Sequence, residues 1–428
     1  MNKWGKTVAV FGLSAMLTTG PSFVTSTAQA AAVTKEIQVV LDDIPLNLGV
    51  KPVVKDNFTM VPFRSLAQAL GIDVSWDSKT KSVRAKGSVN GANREVVLRL
   101  GQKVAEVDGK PVKLTAAPLI VNEQVLIPLG FFGAQFGATV SWNGATSTVK
   151  IVSARSQMHL RAFYALKSFA QRSRIASMDS VAFGWARIDE KGELTLEGKD
   201  YYWPEAAGDV TPESIVKDAD AQGAKPYLMV YSVDGKNELT TMLSDETLRS
   251  RSIENIVRIA QENGFGGVLL DFEGLGLNLD AASQQKLLND YATVIASKLK
   301  ETGIKLSLAV PPPNGAYKGY DYRTLATVAD DLVVMAYDYQ PQGPSGHTPE
   351  PNAKVEEAVQ MLLKAGVAKS KLLLGISLWS ETTNSVDDKL GIAKRYGLKG
   401  AAFWRLTFYG DDFANAIDKT ATRIGSSN

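Results

Sequence analysis

The sequence predicts an α/β protein: a (β/α)8 TIM barrel over its C-terminal two-thirds, preceded by a smaller α+β domain built of two repeats. Three observations predict it. Past Ser153, strand-like apolar runs alternate with amphipathic helical stretches, the pattern of a parallel sheet with covering helices. Before that point the sequence repeats itself, with Pro62 to Pro128 and Trp76 to Trp142 each 66 positions apart. Within the second part, one apolar run ends in two acids spaced by two, Asp271 and Glu273.

The first thirty residues read as a targeting segment. Lys3 and Lys6 open it, an apolar run follows from Thr7 to Thr19, and Ala28-Gln29-Ala30 fits an A-x-A cleavage pattern before Ala31. That run is short for a bilayer span, so a cleaved signal peptide (1–30) is expected, not an anchor. The mature chain is expected to be exported, with no membrane association after cleavage.

Residues 31–153 form the repeat domain. Met60-Val61-Pro62, Leu70-Gly71 and Val74-Ser75-Trp76 recur as Leu126-Ile127-Pro128, Phe136-Gly137 and Val140-Ser141-Trp142. Each copy reads as a hairpin, an extended segment, a short helix stopped by Gly71 or Gly137, and a return strand. Neither copy is large enough to bury a core alone, so the two are expected to share one.

Residues 154–428 form the barrel domain. Strands are expected at His159–Tyr164, Ser180–Ile188, Pro226–Tyr231, Gly267–Phe272, Lys305–Val310, Asp331–Tyr337, Leu372–Leu378 and Gly400–Trp404, with helices such as Leu248–Glu262, Ala282–Glu301 and Lys354–Ala365 between them. Asp411-Asp412 is expected to cap a helix. Composition narrows the chemistry. With 47 basic and 45 acidic residues, net charge +2, nothing favours nucleic acid. There is no cysteine, and the only histidines are His159 and His347, so thiolate catalysis is excluded and neither a metal site nor a cofactor is expected.

Side chains alternate along a strand, so Leu269, Asp271 and Glu273 share one face. In a barrel that face leads to the C-terminal mouth, where active sites sit. Two carboxylates so close raise one another's pKa, which suits a general acid. Two solvated acids ending a strand remain the alternative at this level.

The paired (V/I)P…LG…VSW pattern resembles the copper amine oxidase N-terminal-like domain of exported Gram-positive proteins. No histidine lies in that region, so the resemblance implies an envelope module without copper, with cell-wall polymer as a candidate partner. The second part resembles glycoside hydrolase family 18, in the branch of spore-cortex N-acetylglucosaminidases. The resemblance rests on Asp271 and Glu273, on Met335-Ala336-Tyr337-Asp338, and on Gly400-Ala401-Ala402-Phe403-Trp404. It implies a secreted or cell-wall/spore-envelope hydrolase of β-1,4-linked N-acetylglucosamine polysaccharides, peptidoglycan or chitin-like. The resemblance also implies that Glu273 is the general acid, that Asp271 and Tyr337 hold the substrate's acetamide, and that Asp338 and Trp404 contact the sugar. Trp185 is a further candidate for stacking on substrate. Two acids of the family motif are replaced, by Gly266 and Leu269. Losing the middle one is expected to let Asp271 ionise more easily, and it leaves a carbohydrate-binding protein without turnover as the alternative.

Overall fold

The computed structural model describes residues 36–89, 92–277 and 279–425; the expected signal peptide, 1–30, lies outside them. Among the described residues no helix is long and apolar enough to cross a membrane.

Eight parallel strands close into a barrel: β1 (His159–Tyr164), β2 (Ser180–Ile188), β3 (Lys225–Val233), β4 (Gly267–Glu273), β5 (Lys305–Val310), β6 (Asp331–Val334), β7 (Leu372–Ser377) and β8 (Gly400–Trp404). Closure is by β1 against both β2 and β8. At that seam Gly400 is obligatory, because a Cβ there would sit 1.8 Å from the carbonyl oxygen of His159. The strands are buried on both faces, which is why they read as apolar runs. One cluster packs strands against helices. A second fills the barrel with Phe163, Ala182, Tyr227, Met229, Leu269, Ala309, Val333, Leu373 and Ala402.

Below that filling, at the N-terminal end of the strands, lies a charged layer. The Arg161 side chain is fully buried and forks onto Asp331, with Nη1 and Nη2 donating to Oδ1 and Oδ2 at 2.9 and 3.1 Å. Arg161 also donates to Ser307 (2.7 Å) and Ser180 (2.8 Å) and lies over the Tyr227 ring at 4.3 Å. Lys399 adds a third cationic donor to Asp331 at 2.6 Å. Burial alone would raise the Asp331 carboxyl; the charges of Arg161 and Lys399 overcome it and hold the group well below the usual carboxylate range.

The two repeats share one core, with Phe63 and Phe132 meeting edge to face at 5.4 Å. They are also more entangled than the sequence suggests. Their central strands, Phe58–Pro62 and Gln124–Pro128, pair antiparallel with Val61 opposite its own repeat partner Ile127. Each leading hairpin then leaves its own copy. Gln38–Leu41 pairs in parallel with Thr148–Val152 of the second copy. Val104–Val107 joins the sheet of the first copy through Ala92–Arg99, a strand the repeat does not duplicate. The helices Phe63–Ala69 and Leu129–Gln135 stop where expected, with Gly71 and Gly137 at positive φ.

Two expectations need correction. Strand β6 ends at Val334, not Tyr337: tight turns in which Ala336 and Tyr337 donate to the carbonyls two residues back (2.9 and 2.8 Å) take the chain out of the sheet. Asp411 and Asp412 do not cap their helix. They occupy its first turn behind Gly410, where the helix dipole still favours them.

Candidate active site

Strand β4 delivers Asp271 and Glu273 to the C-terminal mouth, one step above Leu269 in the apolar filling. Asp271 is only 3% exposed, and its Oδ1 has no hydrogen-bond partner. Burial, then the charge of Glu273, pushes its carboxyl well above the usual range. The expectation that Leu269 lets Asp271 ionise more easily is opposed by this burial, which holds its carboxyl up. Glu273 is half-buried; burial, then the charge of Asp338, raises it to about 7. Both carboxyls are thus shifted up, each chiefly by burial.

The mouth is rimmed by aromatics. Tyr337 and Trp404 pack on the top of the barrel filling beside Tyr201 and Tyr231. Trp404 meets Phe163 edge to face at 5.3 Å, and Tyr201 stacks on Tyr231 at 4.1 Å. Burial raises the Tyr337 hydroxyl well above its ordinary value, followed by the charges of Asp271 and Glu273, so it remains a proton donor beside both acids. Asp338 is exposed at positive φ, and partial desolvation at the rim raises its carboxyl.

Supporting residues were not legible in the sequence. Glu350 accepts the backbone N–H groups of Asp338 (3.0 Å) and Tyr339 (3.1 Å), fixing the turn that carries Tyr337. The Tyr320 hydroxyl donates to the carbonyl of Phe272 at 2.7 Å, between the two acids. Gln284 ties Gly276, just past β4, to Asp234, just past β3. Gly276 (φ +77°) lies against Gly319; a Cβ there would fall 2.0 Å from the Gly319 nitrogen. Gly276→Ala is expected to cost about 2–4 kcal/mol, from strained φ plus overpacking. It should also lower activity by displacing Glu273, with melting and turnover measured together.

Trp185 is the candidate placed elsewhere. It shares the outer face of β2 with Val181 and Phe183, and its ring enters an aromatic core cluster with Phe183 (4.5 Å) and Trp203 (5.3 Å), at the point where the strand bulges between Gly184 and Ala186. At 3% exposure it offers no face for stacking, although it is among the residues lining a groove of about 420 Å³. That groove is not lined by the acids; it joins the mouth through Tyr201 and Arg405. His347 is held by the carbonyl of Glu381 at 2.8 Å and lies near Trp379.

Comparison with known sequences bears on this arrangement directly. The profile of Glycosyl hydrolases family 18 matches residues 159–389, more than half of the chain. The chain belongs to glycosyl hydrolases family 18. A second profile, the Copper amine oxidase N-terminal domain, matches residues 40–151, a stretch without histidine or cysteine and so unsuited to copper. This family 18 chain is 24% identical to the cortical fragment-lytic enzyme of Bacillus anthracis over 36% of each chain. It is 26% identical to chitinase 1 of Aphanocladium album over 38% of this chain and 41% of that one. These matches span well under half the length of either relative. In fold it resembles the spore cortex-lytic enzyme SleL of Bacillus cereus, with a TM-score of 0.52 and 16% identity over 64% of this chain and 77% of that one. A class V chitinase of Pseudomonas fluorescens Pf-5 gives 0.51 and 18%, over 61% of this chain and 99% of that one.

Proposed function

We propose that this family 18 chain is an exported glycosidase that cleaves β-1,4-linked N-acetylglucosamine glycans, peptidoglycan or chitin-like, by a retaining, substrate-assisted route. The observation that carries the reading is the half-buried Glu273, raised to about 7 beside a deeply buried Asp271. A carboxyl poised there keeps a protonated fraction at neutral pH, as a general acid requires. Glu273 gives its proton to the glycosidic oxygen, and that bond to the anomeric carbon breaks as the substrate's own acetamide oxygen attacks. Water then opens the cyclic intermediate and returns a proton to Glu273. The unpartnered Oδ1 of Asp271 suits the acetamide N–H. Tyr337 donates its hydroxyl to the acetamide oxygen, Trp404 lies under the sugar, and Asp338 tunes Glu273 by its charge.

The reading includes a signal peptide over 1–30, a repeat domain over 31–153 and a barrel domain over 154–428, with a location in the cell wall or spore envelope. The names of the cortex-lytic relatives support that location. The repeat domain holds wall polymer; an open groove of about 380 Å³ presenting Phe58, Phe131 and Trp142 supports this role. The test of the catalytic reading is release of reducing ends from peptidoglycan and from chito-oligosaccharides by wild type and Glu273→Gln. Full activity in the variant would end it. Leu269, apolar where the family motif has an acid, favours a second reading: binding without turnover. Calorimetry showing an oligosaccharide bound tightly and left intact over hours would establish that one.

A further inference from the structure

One cation at the mouth has no use in this chemistry. Arg405 directly follows Trp404 at the end of β8. Its guanidinium lies 5.0 Å above the Phe408 ring, and its Nε is buried without a hydrogen-bond partner. Among the described residues no carboxylate forms an ion pair with it; burial opposes its ionisation, and Tyr201 and Asp200 offset that only through their charge. Leaving a guanidinium partly stripped of water and unpaired is costly, and the cost is removed by an anion that binds there.

The surroundings fit such an anion. Arg405 borders the 420 Å³ groove beside the mouth, together with Lys167, Lys199 and Tyr202. Asp200 and Glu205 also line it, so the cations outnumber the acids by one. Tyr201 belongs to both the groove and the aromatic rim, so a glycan seated over Trp404 can continue past it. A guanidinium that no carboxylate of the chain engages keeps N–H donors for a ligand, and two of them side by side match a carboxylate.

We propose that Arg405 is a specificity residue that reads a carboxylate carried on the glycan, so that this site prefers a carboxylated N-acetylglucosamine polymer over neutral chitin. The inference rests on the glycosidase reading and names its substrate class. In peptidoglycan the carboxylate comes either from the lactyl ether on the alternate sugar or from the peptide attached to it.

The full-length chain is assayed on three substrates: chito-oligosaccharides, peptide-free peptidoglycan strands and peptide-bearing strands. Arg405→Gln is expected to raise KM on carboxylated strands about 10- to 100-fold, the worth of a charge-assisted hydrogen bond. kcat should change little, and kcat/KM on chito-oligosaccharides should stay within about twofold. Arg405→Lys should recover part of the loss. A loss on peptide-free strands assigns the carboxylate to the lactyl group, and a loss confined to peptide-bearing strands assigns it to the peptide. Equal losses on neutral and carboxylated substrates, or no loss, overturn the proposal. If Arg405→Gln does not fold, amidating the carboxylates of the strands must raise wild-type KM by the same factor, and an unchanged KM overturns it. If wild type cleaves nothing, the glycosidase reading has failed. Weaker binding of carboxylated strands by Arg405→Gln in calorimetry still supports the carboxylate site, and equal binding overturns it.

Discussion

Glu273→Gln is expected to lower kcat about 10²- to 10⁴-fold, the usual contribution of a positioned general acid, while making the protein more stable at neutral and alkaline pH. Both effects come from one cause. Burial, with the charge of Asp338, raises the carboxyl from 4.5 to about 7 in the folded chain. Above pH 7 the folded protein carries a buried ionised carboxylate that is exposed after unfolding, a penalty of up to about 3 kcal/mol by linkage. As pH falls from 7 to 4.5 the folded state takes up a proton that the unfolded state does not, and the penalty fades. The neutral glutamine never carries it. The melting advantage of Glu273→Gln over wild type should therefore be large at pH 8 and small near pH 4.5. Activity and thermal melting across that range check the two halves together.

Asp331→Ala is expected to destabilise the barrel by about 3–5 kcal/mol, because it strands the buried Arg161 charge. Chemical denaturation measures it. Ser307 and Ser180 would remain as partners of the guanidinium, but neither carries charge. Replacing both Arg161 and Asp331 by apolar residues of similar volume should recover most of the loss. The pair sits at the opposite end of the strands from Glu273, so kcat of whatever fraction stays folded should change little. A loss of stability below 1 kcal/mol would remove the pair from the account of the fold.

The two residues show what could be read from the sequence and what could not. The barrel was legible because each parallel strand is covered on both faces and so appears as an unbroken apolar run. Alternation within β4 then placed Leu269, Asp271 and Glu273 on one inner face without further information. Arg161 and Asp331 were not legible, because they lie 170 positions apart and meet only when the barrel closes. A charge inside an apolar run looks like a boundary until its partner is known. The burial of Trp185, by contrast, was legible, because alternation along β2 puts it on the outer face with Val181 and Phe183, where all three pack in the core. Glu350 and Tyr320 act on backbone groups of distant segments, so no motif near the acids announces them. The repeat revealed two copies and their shared core, but the exchange of hairpins depends on which edges meet, which identical patterns cannot specify.

The central claim is that Glu273 donates the proton while the substrate supplies its own nucleophile. Proton NMR of fresh cleavage products tests it most directly, using chito-oligosaccharides and their de-N-acetylated counterparts with wild type. The account predicts that the first product from the acetylated chain is the β-anomer and that the de-N-acetylated chain is left intact. An α-anomer appearing first, or equal cleavage of both chains, would contradict it.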